Sequence, residues 1–154
     1  YKGGEGMSLL GQYDHTINAK GRMNFPSKLL AELGDTFIVT VGLDGCLVVY
    51  SNTEWAKLES AIGRHSLSAL ADRNVNRWFF GSANEVEVDA QGRILIPQKL
   101  REIAGLEKDV VVVGCSSYAE IWSKERYDEI VNVPDVSLRL EEAVNERLSK
   151  GDEE

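Results

Sequence analysis

The chain has 154 residues, of which 43% are hydrophobic and 27% are charged, a balance that is typical of a folded globular protein and argues against disorder. No run of about 18 apolar residues is present to span a bilayer, and residues 1–6 lack the apolar core of a signal peptide, so we expect a cytoplasmic protein. The net charge of −8 argues against binding of polyanions by the chain as a whole. However, the last 31 residues, from Lys124 onward, carry ten Asp and Glu against five Lys and Arg, so local basic clusters remain elsewhere.

Residues 1–6 are rich in glycine and are followed directly by Met7, so we interpret them as a cloning remnant and Met7 as the native start. Cys46 and Cys115 each lie beside strand-like sequence, without the spacing of a metal site, and the two histidines lie far apart. We therefore predict two half-buried structural thiols, no metal and no cofactor.

The strongest pattern is an internal repeat, in which residues 18–29 align with residues 89–100 at an offset of 71. After one inserted residue, the match continues to Trp55 in the first copy and Tyr127 in the second. A unit of about 45 residues cannot bury enough apolar surface to fold alone, so we expect the two copies to share one core. The identical pairs of the first stretch include Gly21/Gly92, Arg22/Arg93, Pro26/Pro97, Lys28/Lys99 and Leu29/Leu100.

Each copy is predicted to contain the same elements in the same order. Two short strands flank a Gly-Arg turn, a helix begins near a proline and ends at a glycine, and two further strands follow. In the first copy, Leu43-Asp-Gly45 predicts a hairpin turn, because glycine tolerates positive φ. The first copy supplies strands 13–17, 23–25, 37–41 and 46–50 and a helix between Pro26 and Gly34; the second supplies strands 85–88, 94–96, 110–113 and 118–122 and a helix between Pro97 and Gly105.

Further helices are predicted after the first copy and between the copies. The capping box Ser51-x-x-Glu54 predicts a helix that ends at Gly63. Residues 66–80 carry apolar side chains at helical spacing and are predicted to form a connecting helix. The aromatic side chains of this segment, which we interpret as core residues, include Trp78 and Phe79.

A last amphipathic helix is predicted over residues 137–150, after Pro134, and an acidic tail follows it. The predicted fold class is α+β, with duplicated β-β-α-β-β units interlocked about a pseudo-twofold axis into one small β-barrel with helices at its margins. The apolar positions of the last helix are Leu138, Val144 and Leu148. The predicted domains are a first module over 7–63, a connecting helix over 64–82, a second module over 83–131 and a C-terminal segment over 132–154.

The turn Asp89-Ala-Gln-Gly-Arg93 lies between two predicted strands, with glycine at the position that needs positive φ. The Asp89 carboxylate can hold the Arg93 guanidinium in one direction, or it can cap the N–H groups of the turn. A purely structural ion pair is the alternative interpretation of these two residues. The four positions that define the two turns are Asn18, Gly21, Asp89 and Gly92.

Basic side chains recur beside both turns in this otherwise acidic chain. Exposed strand ribbons can enter the major groove of a duplex, and cations beside them can neutralise phosphates, so the pattern favours binding to double-stranded DNA. The candidate DNA-binding residues are Lys20, Arg22 and Lys28 in the first copy and Arg93, Lys99 and Arg101 in the second.

Over residues 9–131 these motifs resemble the MraZ family: the doubled turn, the Gly-Arg-apolar-x-apolar-Pro run, the hairpin Gly42-Leu-Asp-Gly-Cys46 and the triplet Glu120-Ile-Trp122. The resemblance implies two SpoVT-AbrB-like modules in one chain, a swapped double-split β-barrel and a ring of many protomers. It also implies a bacterial regulator, usually a repressor, that binds short repeats in the promoter of the division and cell wall gene cluster.

Asn18 departs from this family pattern, which has aspartate at that position of the first turn. The ion pair with Arg22 is therefore expected to weaken to a neutral hydrogen bond, which leaves Arg22 freer to contact a phosphate or a base edge.

Two other classes of function compete with DNA binding. An enzyme is disfavoured, because Glu85, Glu87 and Asp89 form an acidic strand without the His, Lys or Cys partners that acid-base or nucleophilic catalysis needs. A protein-interaction or antitoxin-like module with the same fold stays open as the alternative.

Overall fold

Eight strands and six helices are formed by residues 8–63 and 68–152, which the computed structural model describes. Both copies have the element order that the repeat predicts, and each strand end lies within one residue of the predicted one. The first copy contains β1 (Gln12–Thr16), β2 (Arg22–Asn24), α1 (Ser27–Leu33), β3 (Thr36–Val41), β4 (Leu47–Tyr50) and α2 (Asn52–Gly63). After α3 (Leu70–Gly81), the second copy contains β5 (Asn84–Glu87), β6 (Arg93–Leu95), α4 (Gln98–Ala104), β7 (Asp109–Gly114), β8 (Ala119–Ser123) and α5 (Lys124–Ile130), and α6 (Val136–Asp152) follows.

The helix ends follow local signals in the sequence. Pro26 and Pro97 lie at the N-caps of α1 and α4, next to the first turn, near which the sequence places them. Proline fits there because its fixed φ starts the helix and its missing N–H would have no partner. At the start of α2, the Ser51 Oγ accepts a hydrogen bond of 3.1 Å from the Glu54 backbone N–H, so the predicted cap is confirmed.

All strand pairs are antiparallel, and most of them join the two copies. The larger sheet has the order β1-β7-β8-β4-β3-β5, and β2 pairs with β6 in a separate two-stranded ribbon. The β1/β7, β2/β6, β3/β5 and β4/β8 pairs each take one strand from either copy, whereas β3/β4 and β7/β8 are hairpins within a copy. The fold is thus α+β with antiparallel sheets.

The described strands do not close into a barrel, so that part of the predicted fold is wrong. Strands β1 and β5 are the edges of the six-stranded sheet and do not pair with each other. The strands that could extend these edges, β2 and β6, pair with one another instead. One bridge, from Ile17 to Met23, links the end of β1 to the ribbon.

The main core lies on one face of the six-stranded sheet, beneath α1, α4 and the ribbon. Alternate residues of the strands point into it because side chains of a strand alternate between faces. Both copies supply fully buried side chains to this one core, as the repeat predicts. Its members include Phe37 and Val39 of β3, Val110 and Val112 of β7, Leu29 of α1, Leu100 of α4, and Met23 and Ile94 of the ribbon.

A smaller aromatic cluster lies on the opposite face, where α2 and α3 contact β3. The Trp55 ring centroid lies 5.8 Å from that of Tyr50, 5.5 Å from that of Phe79 and 5.4 Å from that of Phe80. The Thr40 hydroxyl of β3 donates a hydrogen bond of 2.7 Å to the Phe79 carbonyl and so links α3 to the sheet. Such ring contacts contribute roughly 0.5–1.5 kcal/mol per pair beyond the buried area.

Trp78 is 52% exposed, so its interpretation as a core residue is wrong. Successive residues of an α-helix are about 100° apart around its axis, and Phe79 is the residue that faces β3. Trp78 therefore points away from the core. The predicted connecting helix over 66–80 begins partly outside the described residues, and α3 itself starts at Leu70.

The chain divides into two compact units, Tyr1–Lys124 and Glu125–Glu154. The second unit contains the remainder of α5 and all of α6, which extends the predicted C-terminal helix by a residue or two at each end. Leu140, Val144 and Leu148 of α6 are exposed apolar side chains. None of the helices in the described ranges combines the length and the apolar character needed to cross a membrane.

The first module alone, residues 7–65, is expected not to fold as a monomer. Without the second copy, β1 loses β7, β3 loses β5 and β4 loses β8, so residues such as Val39 would be exposed to water. Circular dichroism with light scattering should show no cooperative thermal transition for the monomeric fragment. A monomer that melts sharply would contradict a shared core.

Candidate nucleic-acid interface

The two Gly-Arg turns have the same backbone geometry. In the first, the Gly21 N–H donates to the Asn18 carbonyl at 2.9 Å, and the Asn18 N–H donates to the carbonyl of Arg22 at 2.9 Å. In the second, Gly92 donates to Asp89 at 3.0 Å and Asp89 donates to the carbonyl of Arg93 at 2.9 Å. Gly21 and Gly92 have φ of 90° and 77°, which explains why the sequence needs glycine at both positions.

A side-chain oxygen caps each turn in the same way. The Asn18 Oδ1 accepts from the backbone N–H groups of Lys20 at 3.0 Å and Arg22 at 2.9 Å. The Asp89 Oδ1 accepts from the backbone N–H groups of Gln91 and Arg93, both at 2.9 Å. The amide of Asn18 thus replaces the capping function of a carboxylate without loss of a bond.

The two turns differ in the second polar atom of the capping side chain, the one that does not accept the backbone N–H groups. The Asp89 Oδ2 accepts from the Arg93 Nε at 3.0 Å, so this carboxylate both caps its turn and orients the guanidinium. The backbone N–H of Arg93 lowers the pKa of Asp89, and the N–H of Gln91 and the Arg93 side chain act in the same direction, against a smaller opposing effect of desolvation. Asn18 bonds to the backbone of Arg22 and carries no charge, and the described residues show no ion pair for the exposed Arg22 guanidinium.

The ribbon of β2 and β6 brings both arginines to one surface. Met23 pairs with Ile94, and both point inward and are 1% exposed. By alternation, Arg22 and Arg93 point outward, at diagonal positions that place their Cα atoms about 7–8 Å apart. We call this outward face the ribbon surface, and its members are Arg22, Asn24, Arg93 and Leu95.

Each turn is also bonded to the strand of the other copy. The Ile96 N–H donates to the Gly21 carbonyl at 2.8 Å, and the Phe25 N–H donates to the Gly92 carbonyl at 3.0 Å. This exchange fixes both turns at the ends of the ribbon, so the ribbon surface and its flanking turns form one rigid unit.

Of the other predicted basic residues, three have exposed side chains and one, Arg101, is hydrogen-bonded to backbone carbonyls. Lys20 is exposed in the first turn, and Lys28 and Lys99 are exposed on α1 and α4. Lys99 places its Nζ 5.9 Å from the centroid of the Trp78 ring. Arg101 is half-buried, and its Nε donates to the Ile96 carbonyl at 3.0 Å while its Nη1 donates to the Ala19 carbonyl at 3.2 Å.

The repeat itself distinguishes Arg101 from the other predicted DNA-binding residues. At an offset of 71, Arg101 aligns with Leu30, so it is not one of the basic positions that both copies share. Two members of the ribbon surface, Asn24 and Leu95, were missed in the sequence. Alternation along the short strands that follow the turns could have found them, because each lies two residues after an arginine.

Gly21→Ala is expected to destabilise the protein far more than Gly92→Ala. Both substitutions force an L-residue into positive φ, at roughly 1–2 kcal/mol. A Cβ at Gly21 would also lie 2.6 Å from the Ile96 carbonyl oxygen and 2.8 Å from the Arg101 Nε, which adds an overpacking cost of about 1–3 kcal/mol. A Cβ at Gly92 meets nothing within 4 Å.

Urea denaturation of the two variants beside wild type measures this difference. Equal losses of unfolding free energy would show that the packing around Gly21 relaxes without cost.

The described residues contain two free thiols and no cluster of metal-ligating side chains. No three His, Cys, Asp or Glu side chains within residues 8–63 and 68–152 are grouped so that they could hold a metal ion. Burial, followed by the charge of Glu120, raises the pKa of Cys115 to about 11, and the same causes raise the pKa of Cys46 further. Both free thiols are therefore protonated near neutral pH, and Cys115 is half-buried as predicted, whereas Cys46 is fully buried.

The fold and the site define a class of protein with two copies of a β-β-α-β-β unit in one chain, whose second strands pair as a ribbon between two capped Gly-Arg turns. The sequence profile of the family described as "MraZ protein, putative antitoxin-like" matches residues 8–78 and again residues 79–146. The chain belongs to the MraZ family.

Relatives over most of the chain carry the name "Transcriptional regulator MraZ". The protein of Thermoanaerobacter pseudethanolicus is 51% identical over 130 residues, which cover 84% of this chain and 91% of that protein. The protein of Caldicellulosiruptor saccharolyticus is 46% identical over 139 residues, which cover 87% and 97%. The protein of Acetivibrio thermocellus is 50% identical over 118 residues, which cover 77% and 82%.

Proposed function

We propose that this chain is a transcriptional regulator, not an enzyme, and that it binds double-stranded DNA through the ribbon surface and its two flanking turns. The observation that carries the proposal is the placement of Arg22 and Arg93 on one outward face of an exposed two-stranded ribbon. A ribbon of this width fits the major groove, where arginine can donate two hydrogen bonds to guanine. The names of the relatives support the same function.

Within this function, the six candidate residues have different tasks. Arg22, whose exposed guanidinium has no ion pair among the described residues, is suited to a phosphate or a base edge. Arg93, held by Asp89, presents its guanidinium in a fixed direction and is suited to a base edge. Lys20 in the first turn and Lys28 and Lys99 on α1 and α4 are exposed point charges and are suited to phosphates. Arg101 supports the site indirectly, because its bonds to two backbone carbonyls tie α4 to the first turn.

The proposal extends to the target and the assembly. We propose short repeats in the promoter of the division and cell wall gene cluster as the target, repression as the outcome, and a ring of identical protomers in the cytoplasm, at the nucleoid, as the acting form. The family resemblance supports these points. Several weak sites on one assembly that meet several repeats would supply the affinity that an acidic protomer lacks. The four strand pairs between copies support a swapped, double-split arrangement of the modules, within which 7–63 and 83–131 are the proposed units.

Fluorescence anisotropy with a duplex from upstream of the gene tests the proposal. Binding should fall steeply as salt rises, because each phosphate contact releases counterions, and a duplex with scrambled repeats should bind more weakly. Absence of salt-dependent binding to either duplex would overturn the proposal and favour the protein-interaction or antitoxin-like alternative.

A further inference from the structure

A cavity of about 490 Å³ lies on the face of the six-stranded sheet opposite the main core, between the strands and α3. It is separate from the ribbon surface and shares no residue with it. Its walls combine aromatic rings from both sides with two carboxylates, and its volume is in the range of small-molecule sites. The side chains that carry the argument are Asp44, Tyr50, Val75, Trp78, Tyr118 and Glu120.

The charged residues that line this cavity, within the described part of the chain, have one sign. Asp44 and Glu120 are among the lining residues, and no lysine, arginine or histidine of residues 8–63 and 68–152 lines it. The Glu120 Oε1 is held in place by a hydrogen bond of 3.0 Å from the Trp122 indole N–H. Burial, then Tyr118 and Glu120, raise the pKa of Tyr50, so the groups around Glu120 are already affected by its negative charge.

The aromatic rings of the cavity are suited to a cation. The ring centroids of Tyr50 and Tyr118 are 5.9 Å apart and tilted by 43°, so the two rings form an angled wall. Trp78 is half-exposed, and the Lys99 ammonium, which does not line the cavity, lies 5.9 Å from its ring centroid and shows that this ring contacts a cation. An indole ring attracts cations through its quadrupole, most strongly where water is partly excluded.

We propose that this cavity binds a small organic cation with an apolar body, an amine or a quaternary ammonium compound. The ammonium group would meet the carboxylates of Asp44 and Glu120 and the faces of the aromatic rings. The apolar body would cover Val75 and the exposed part of Trp78. An anion would meet two like charges, and a neutral ligand would leave the carboxylates without a counter-charge.

Isothermal titration calorimetry on the full chain, with three ligands of one shape and different charge, tests the proposal. Phenethylammonium is expected to bind, neutral phenethyl alcohol to bind at least about fivefold more weakly, and phenylacetate not to bind. If phenethyl alcohol binds as tightly as phenethylammonium, or if phenylacetate binds, the cavity does not select a cation and the proposal fails.

Matched variants locate the binding. Asp44→Asn and Glu120→Gln keep the shape of each side chain and are each expected to weaken phenethylammonium binding by about three- to tenfold. Trp78→Leu should weaken it similarly while the protein stays folded, since Trp78 is half-exposed. Glu87→Gln, at an exposed strand position that does not line the cavity, is the control and should bind as wild type. Equal weakening in the control, or none in the cavity variants, would overturn the assignment.

The alternative occupant of the cavity is a basic side chain of a second copy of the chain. Light scattering distinguishes this occupant from a free ligand. The mass of the assembly should stay the same when phenethylammonium saturates the cavity. A fall in mass on saturation would mean that a neighbouring copy occupies the cavity, and the proposed ligand class would be wrong. Because DNA binding is not the readout, failure here leaves the proposed function untouched.

Discussion

Arg22→Ala is expected to weaken binding to a duplex with repeated sites by about tenfold or more per engaged site, and Arg93→Ala by less. The reason is the difference between the two turns. The Arg93 Nε is bonded to the Asp89 carboxylate, which neutralises part of its charge, whereas the oxygen of Asn18 bonds to backbone N–H groups and leaves the Arg22 guanidinium exposed. If each protomer loses one phosphate contact, the salt slope should also fall by about 0.9 per engaged protomer.

Anisotropy titrations at several salt concentrations measure both quantities. Arg77→Ala, which removes an exposed arginine of α3, is the matched control and should bind as wild type. All variants are first checked for the wild-type melting point and assembly mass. Wild-type binding by a folded Arg22→Ala protein would show that the recognition surface lies elsewhere.

Exchanging the two capping residues tests the cause of this difference. Asn18→Asp should install an ion pair at Arg22 and reduce its contribution, while Asp89→Asn should release Arg93. Because the folded pKa of Asp89 lies below its ordinary value, its carboxylate stays ionised at neutral and mildly acidic pH. The stabilisation it gives is present above its unfolded pKa and is lost only as pH falls through the folded pKa. The contrast between Arg22 and Arg93 should therefore be the same at neutral and mildly acidic pH.

The parts of this fold that the sequence predicts are those set by local chemistry. Glycines at positive φ, prolines before helices and the serine cap of α2 act within a few residues, so the order of elements follows from them. The repeat adds that Arg22 and Arg93 occupy equivalent places.

Long-range contacts decided the points that the sequence did not predict. The closed barrel fails because β2 and β6 pair with each other, a choice between distant segments that no local pattern encodes. The apolar pattern of this helix predicts both Trp78 and its neighbour Phe79 as core residues. Only Phe79 reaches the sheet. Arg101 is engaged by carbonyls of Ala19 and Ile96, which the chain brings together only when it is folded.

A charge placed on the apolar stripe of α6 is expected to break the assembly. We define the α6 stripe as Leu140, Val144 and Leu148, which recur every four residues and are 63%, 47% and 64% exposed. Side chains four residues apart lie on one face of a helix, and such a face in water favours association with a like face. The family resemblance implies a ring, so the chain should self-associate beyond a dimer at micromolar concentration. Val144→Asp with Leu148→Asp should shift it to smaller species in light scattering.

Loss of the assembly should also remove most of the affinity for DNA. An acidic protomer with few basic contacts binds weakly by itself, whereas linked protomers act on neighbouring repeats at an effective concentration in the millimolar range. The double variant should thus bind a duplex with several repeats about 100-fold more weakly than wild type, yet bind a single-repeat duplex nearly equally. Asn145→Asp, which adds a charge on α6 outside the stripe, should change neither mass nor affinity. If the double variant loses mass but keeps its affinity for the multi-repeat duplex, multivalency is not the source of binding.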